Sequence, residues 1–291
     1  MRSSSLLAAL VVCVPATAFA DYTSISPVRP LTMSDPSGLS SLGIELQLTR
    51  WNEVRAPNLD VDLQSIALDL TADIKLAPHW VLIARLPITK VGIDGDPAFD
   101  GCCGFGLGNL TAGGRGLWAS VFDNGARAVA GAEFSISLPT AADDGEGGVS
   151  AGATAFSRLP HDVGRYAPDT TTLRLTGLSQ YYTRRFLFQG ELGLQVFLYD
   201  DDLPGDSSDL GVRVALGAGI RATYTVAILL ELSSLLFATD GTGDDNVTSL
   251  DLGLRYASGR AIFGARLYLP IDAPLRDLDM VGVGLDGGFR F

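Results

Sequence analysis

The chain has 291 residues and a formal net charge of −12 at pH 7. An acidic balance of this size excludes a nucleic-acid binder, which needs basic patches against phosphate. Three cysteines, two of them adjacent, exclude a disulfide framework and a thiolate metal centre, which need more sulfur at defined spacing.

Residues 1–20 read as a cleaved secretory signal. Arg2 starts it, Leu6 to Val14 form its apolar stretch, and Ala18-Phe19-Ala20 is a small-x-small cleavage site before Asp21. Residues 21–40 carry Pro27, Pro30, Pro36 and Gly38 and show no strand pattern. They are expected either to hang in the periplasm or to thread into a lumen as a plug. Beyond the signal no run of about eighteen apolar residues remains, so no helical membrane span is expected. Yet 47% of residues are hydrophobic and mean hydropathy is +0.25, high for a secreted soluble domain.

From residue 41 onward the apolar period is two, the period of a strand with one greasy face. Alternating segments fall near 41–50, 64–76, 79–89, 105–119, 126–138, 171–182, 185–199, 208–221, 223–237, 247–257, 260–270 and 279–291. Most reach the roughly 9–11 residues that a tilted strand needs to cross a bilayer. Long and short connections alternate between them, as in barrels with short periplasmic turns and longer extracellular loops. The expected fold is therefore all-β: a transmembrane, antiparallel, up-and-down β-barrel over 41–291 with about twelve strands, ten or fourteen being the alternatives, in the outer membrane of a Gram-negative-type cell. Glycine, at 34 residues, sits inside the strands, where curvature and close packing offset its cost. Trp80, Trp118, Tyr181, Phe186, Tyr224, Tyr256 and Phe289 fall beside short turns or the chain end, as a girdle would; Trp51 and Tyr199 fall at the opposite rim. The last strand ends on Phe289, Arg290 and Phe291. Phe289 and Phe291 resemble the C-terminal signal by which barrel-insertion machinery recognises outer-membrane proteins.

Alternation assigns the charges almost entirely to one face. The acids there are Glu45, Asp69, Asp73, Glu133, Glu191, Glu231, Asp251 and Asp286; the bases are Arg85, Arg115, Arg127, Arg174, Arg213, Arg221, Arg255, Arg266 and Arg290. An arginine on the lipid face at mid-bilayer costs about 2–4 kcal/mol, so this face is expected to be the lumen. Arginine pairs bidentately with carboxylates, and the set either braces a narrow barrel or forms a constriction that selects solutes. Most of the net negative charge lies in the loops. Asp200, Asp201 and Asp202 form one cluster and Asp240, Asp244 and Asp245 another. Solvated loops are one reading, Ca²⁺ on hard oxygens a weaker one, and divalent bridges to anionic lipopolysaccharide a third. No other cofactor is expected. The longest loop, 139–170, is a candidate to fold inward or to gate. It holds His161 near Asp162 and Ser157, which leaves an envelope hydrolase as a minor alternative; no Gly-x-Ser-x-Gly elbow accompanies them. Cys102 and Cys103 are read as a local structural feature, a vicinal disulfide being the alternative.

Within 80–140, Ala84-Arg85-Leu86-Pro87, Gly106-Leu107-Gly108-Asn109-Leu110 and Phe134-Ser135-Ile136-Ser137-Leu138-Pro139-Thr140 resemble the outer-membrane transporter family of the phenol-degradation meta-pathway. That family more often has Asp where Asn109 stands and Gly where Ala141 stands. The resemblance covers about a fifth of the chain and implies transport of small apolar or aromatic molecules. The leading expectation is a passive outer-membrane channel for small solutes with no catalytic residues. A structural or interaction barrel with an ion-pair-plugged lumen is the alternative.

Overall fold

A computed structural model describes residues 29–291 except 57–58, 95–103, 143, 200–207, 239–245 and 273–278, and leaves out the side chains of 52–61 and 94. The strands are β1 (Ser41–Ala56), β2 (Leu59–Ala77), β3 (Trp80–Asp94), β4 (Phe105–Leu107), β5 (Thr111–Val121), β6 (Arg127–Ser137), β7 (Thr170–Tyr182), β8 (Phe186–Tyr199), β9 (Ser208–Arg221), β10 (Val226–Phe237), β11 (Asn246–Ser258), β12 (Ala261–Pro270) and β13 (Val281–Arg290). Between β6 and β7 lie helices α1 (Gly145–Ser157) and α2 (Leu159–Asp162), then a 3-10 turn at Val163–Arg165. Apart from β4 and β5, which both pair with β3, each strand pairs antiparallel with its sequence neighbour, and β1 pairs with β13 from Ser41 opposite Arg290 to Arg50 opposite Val281. The sheet is thereby closed, and closure leaves no strand edge unpaired.

Eleven of the expected segments coincide with single strands; the segment 105–119 is two. β4 and β5 both pair with β3, with Leu107 opposite Ile88 and Thr111 opposite Arg85, and Gly108 to Leu110 leave the ladder between them. The cause is Pro87 on β3, which has no N–H to give; its carbonyl still accepts from Gly108 N at 2.9 Å. β4 thus continues the line of β5, and the wall is a closed twelve-strand barrel with one extra strand.

The pattern of burial is inverted relative to a water-soluble domain. Along β10, Leu230 is 46% exposed while its neighbours Leu229 and Glu231 are 0% exposed. The same alternation sets Leu252 and Leu254 outside against Asp251 and Arg255 inside on β11, and Leu192 and Leu194 outside against Glu191 inside on β8. An outer face this apolar is matched by hydrocarbon, and the closed ladder pairs the strand backbones as a membrane-spanning wall requires. Trp80, Trp118, Tyr181, Phe186, Tyr224, Tyr256 and Phe289 are all exposed at the short-turn end. Trp51, toward the loop-bearing rim, is buried and packs inward with Val247, Tyr268, Met280 and Leu159. Its direction follows from alternation, since Gln47 and Thr49 on the same parity are also buried; the register shift between Trp51 and Val54 comes only after it.

Two segments fill the interior. Residues 29–40 run inside the barrel as irregular chain, with Leu31, Met33 and Asp35 to Gly38 buried. From the loop-bearing end, α1 and α2 fold inward. The buried face of α1 is Ser150, Ala151, Thr154 and Ala155, small enough for close approach to β3 and β4. Glu146 in its first turn complements the helix dipole, and α2 starts with Pro160 in its first turn.

Candidate pore lumen

One group of lumen charges is paired within the wall itself. Arg85 Nη2 meets Asp73 at 2.6 Å across β2 and β3. Arg115 places Nε and Nη2 on Glu133 at 2.7 and 2.6 Å across β5 and β6. Glu191 on β8 takes Arg174 from β7 at 2.8 Å and Arg213 from β9. Arg266 on β12 reaches over β13 to Glu45 on β1 at 2.5 Å, and Arg255 on β11 reaches over β12 to Asp286 on β13. The second reach needs Gly264, where an added Cβ would lie 1.7 Å from Arg255 Nη1. Lumen glycines therefore leave room for guanidinium groups to lie flat along the wall. Arg127 and Arg221 sit half-buried at the short-turn end, where Arg221 stacks over Tyr182 at 5.7 Å. Arg290 is buried, 3.9 Å from Asp35.

A second group depends on the inserts. Among the described residues, no arginine of the wall lies within ion-pair distance of Asp69; it faces Arg158 and Arg165 at 3.6 Å each and accepts from the Tyr166 hydroxyl at 2.8 Å. Asp251 faces His161 Nε2 at 3.0 Å. Asp162 lies between Arg158, Arg165 and Arg174 at 3.3, 3.3 and 3.0 Å. Burial alone would raise the Asp162 pKa, but these arginines hold it well below the carboxylate range. Burial outweighs Asp251 at His161 and pushes its pKa below the ordinary value, favouring a neutral ring. Glu231 accepts from Leu31 N at 2.6 Å, Thr32 N at 2.8 Å and Gln189 Nε2 at 2.8 Å.

The wall bases also reach the backbone of residues 29–40. Arg255 donates to the carbonyls of Arg29 and Pro30, Arg266 to Leu31, Arg213 to Thr32 and Arg115 to Asp35. Between the two inserts and the wall remains a polar cavity of about 60 Å³, lined by Arg29, Arg85, Arg115, Glu133, Arg165 and Arg174 among others. At roughly 15 Å³ per water it holds about four waters.

Sequence reasoning missed Arg158, Arg165 and Asp35 as lumen charges, because they come from segments without strand periodicity. Asn109 was noted only as a departure from a motif. It is fully buried in the β4–β5 break, and its amide nitrogen faces the carbonyls of Gly164, Ala167 and Thr170 at 3.0, 2.8 and 3.1 Å. It pins the return of the helical insert.

Ser157, His161 and Asp162 do not assemble into a relay. Ser157 Oγ donates to Thr154 O. His161 turns one nitrogen, Nε2, to both Asp251 and Ser249, and Nδ1 is unpartnered. A relay needs the orienting carboxylate and the nucleophile on opposite ring nitrogens. Asp200, Asp201, Asp202, Asp240, Asp244, Asp245, Cys102, Cys103 and the signal segment lie outside the described residues. No cluster of three or more His, Cys, Asp or Glu with metal-binding geometry occurs among the described residues. Phe289 and Phe291 are exposed at the short-turn end, and Phe291 N donates to Ser40 O at 3.0 Å.

No family model matches the sequence, and no curated protein matches it. Solved structures do match. An outer membrane channel from Pseudomonas putida F1 aligns with a TM-score of 0.55 at 14% identity, over 87% of this chain and 96% of that one. The NanC porin aligns at 0.48 and 9% identity, over 86% and 100%. The translocator domain of the autotransporter NalP from Neisseria meningitidis aligns at 0.47 and 10% identity, over 87% of each. At 14% identity the first likeness is one of fold, the outer-membrane type of barrel.

Proposed function

We propose that the protein is a passive outer-membrane channel for small solutes, held closed here by residues 29–40, with the helical insert as its fixed constriction. The carrying observation is how unequally the two inserts are bound. Arg115, Arg213, Arg255 and Arg266 keep carboxylate partners in the wall whether or not they donate to the segment's carbonyls. Water replaces such carbonyl contacts at little cost. Withdrawal of 29–40 takes the principal donors of Glu231, though Gln189 stays. It also takes the distant Asp35 partner of Arg290, the Ser34 N–H from a Glu191 that keeps two arginines, and Leu31 from a buried apolar cluster. Withdrawal of the helical insert would remove every cationic or histidine partner shown for Asp69 and Asp251 and would part Asp162 from Arg174, so charge pairs rather than carbonyl contacts hold that insert. The segment is the removable part.

The test is single-channel conductance in planar bilayers of the full chain and of a chain lacking residues 29–40. The shortened chain is expected to conduct severalfold more. If neither form passes ions or small solutes above the empty bilayer, the barrel is a sealed structural element and the channel reading falls. The resemblance to the phenol-degradation transporter family favours apolar or aromatic solutes. In the same reading, Phe289 and Phe291 serve recognition by the insertion machinery. The acidic loops, with Asp200 to Asp202 and Asp240, Asp244 and Asp245, meet anionic lipopolysaccharide through divalent ions such as Ca²⁺, for which their oxygen density is suited.

A further inference from the structure

Bracing by ion pairs does not account for one part of the short-turn half of the lumen, an apolar cluster set among polar side chains. Val81 and Ile83 on β3, Leu117 on β5, Leu178 on β7, Leu187 on β8 and Leu229 on β10 point inward, are buried, and form one contiguous cluster. The member of this cluster that does not belong to the wall is Leu31. Apolar surface facing a water-filled lumen is unfavourable, so the chamber is stable when something apolar occupies it. The wall is recessed to admit that occupant. At Gly253 on β11 an added Cβ would lie 2.6 Å from Leu31 Cδ2, and at Gly217 on β9 it would lie 2.8 Å from Met33 Cε.

A polar anchor adjoins the chamber. Glu231 is next to Leu229 on the inner face of β10's ladder, two positions along, and is fully buried. Its carboxylate takes Leu31 N at 2.6 Å, Thr32 N at 2.8 Å and the Thr32 hydroxyl at 2.9 Å. Leu31 and Thr32 together present a branched apolar body with N–H and O–H donors beside it. A free molecule that replaces them has to match both features.

We infer that this chamber is a solute-binding site for a small apolar molecule carrying a hydroxyl, with Glu231 accepting a hydrogen bond from that hydroxyl, and that Leu31 and Thr32 occupy it in competition. The inference rests on the channel reading, since it requires residues 29–40 to withdraw. It assigns Leu229, Leu187 and Ile83 to the body of the solute and Glu231 to its polar group.

The experiment measures binding of benzyl alcohol and toluene to the full-length protein in lipid nanodiscs by saturation-transfer NMR, with single-channel conductance recorded on the same preparations. The Leu31→Ala chain removes the competing body and leaves the wall intact. It is expected to bind benzyl alcohol at least tenfold more tightly than the unaltered chain, with toluene weaker. Glu231→Gln is expected to erase the preference for the alcohol, and Leu229→Trp, which fills the chamber, to abolish binding of both. A gel-mobility shift on heating reports that each variant is a folded barrel. If Leu31→Ala binds no tighter than the unaltered chain, or Leu229→Trp leaves binding unchanged, the inference is overturned. Should Leu31→Ala conduct more yet bind neither probe, the site is lost while the channel stands; absence of conductance in every form removes the channel itself.

Discussion

Asn109→Asp is nearly isosteric, yet it exchanges two N–H donors for a charge. The native amide faces three carbonyls of the 164–170 return at 2.8–3.1 Å, and its own oxygen accepts from Ala141 N at 2.8 Å. Its two hydrogens serve two carbonyls at a time. Losing them leaves buried acceptors unpaired at about 1–3 kcal/mol each, and we expect a total loss of about 2–4 kcal/mol. A carboxylate among carbonyls favours its protonated form in the folded state, so its folded pKa is raised. The variant's stability is then best below the ordinary carboxyl pKa near ~3.9 and is lost as pH rises. Urea unfolding followed by tryptophan fluorescence in detergent, at pH 4.5 and pH 8, measures the gap to the unaltered chain. The gap is expected to widen at pH 8 for Asn109→Asp and to stay constant for Asn109→Ala. A gap below about 0.5 kcal/mol at both pH values would refute the role given to Asn109 in pinning the insert.

Other expectations follow from the same geometry. Gly264→Val places carbon where the Arg255 guanidinium lies and separates it from Asp286; the cost is expected at about 3–5 kcal/mol. Gly287→Val on the lipid face, where an added Cβ finds its nearest neighbour, Phe263, at 3.5 Å, is the near-neutral control in the same unfolding assay. Leu230→Arg puts a charge on the outer face near the middle of β10 and is expected to lose about 2–4 kcal/mol in vesicle refolding. The His161 pKa is lowered by burial, against the pull of Asp251 and with Arg158 and Arg266 adding to the depression. The unfolded imidazole therefore binds its proton first as pH falls, and docking of α2 weakens below about pH 6.5. Conductance that is flat from pH 7.5 to 5, or a step that survives in His161→Gln, would contradict this.

The wall was legible because period two with charges on a single parity has few other solutions, and eleven of twelve segments map onto single strands. The break at Gly108 to Leu110 was not read, although Pro87 and Gly108 both signal it, because the ladder resumes one residue out of step. Trp51 shares the inward parity of Glu45, Gln47 and Thr49, so alternation already aims it at the lumen; aromatic position alone, read as a rim marker, did not use that parity. Helix α1 has the sequence GEGGVSAGATAFS, whose small residues make no apolar stripe and whose glycines weigh against helix. The apolar chamber escaped because Leu229 or Ile83 on the inner parity looks like any outward leucine or isoleucine until the barrel is closed. The partners of Asp69 and Asp251 lie about 90 residues away in the chain, a separation that no local pattern encodes.

The pairing of β1 with β13 ties the start of the wall to its finish. Residues 29–40 lie directly upstream of β1, so they must already be threaded when the seam zips, or must slip in afterwards through the short-turn mouth. Their carbonyls meet arginines of β5, β9, β11 and β12, so their full set of contacts exists only after the final hairpin is in place. By either route, the contacts between this segment and the wall are completed only once the last hairpin stands beside the earlier strands.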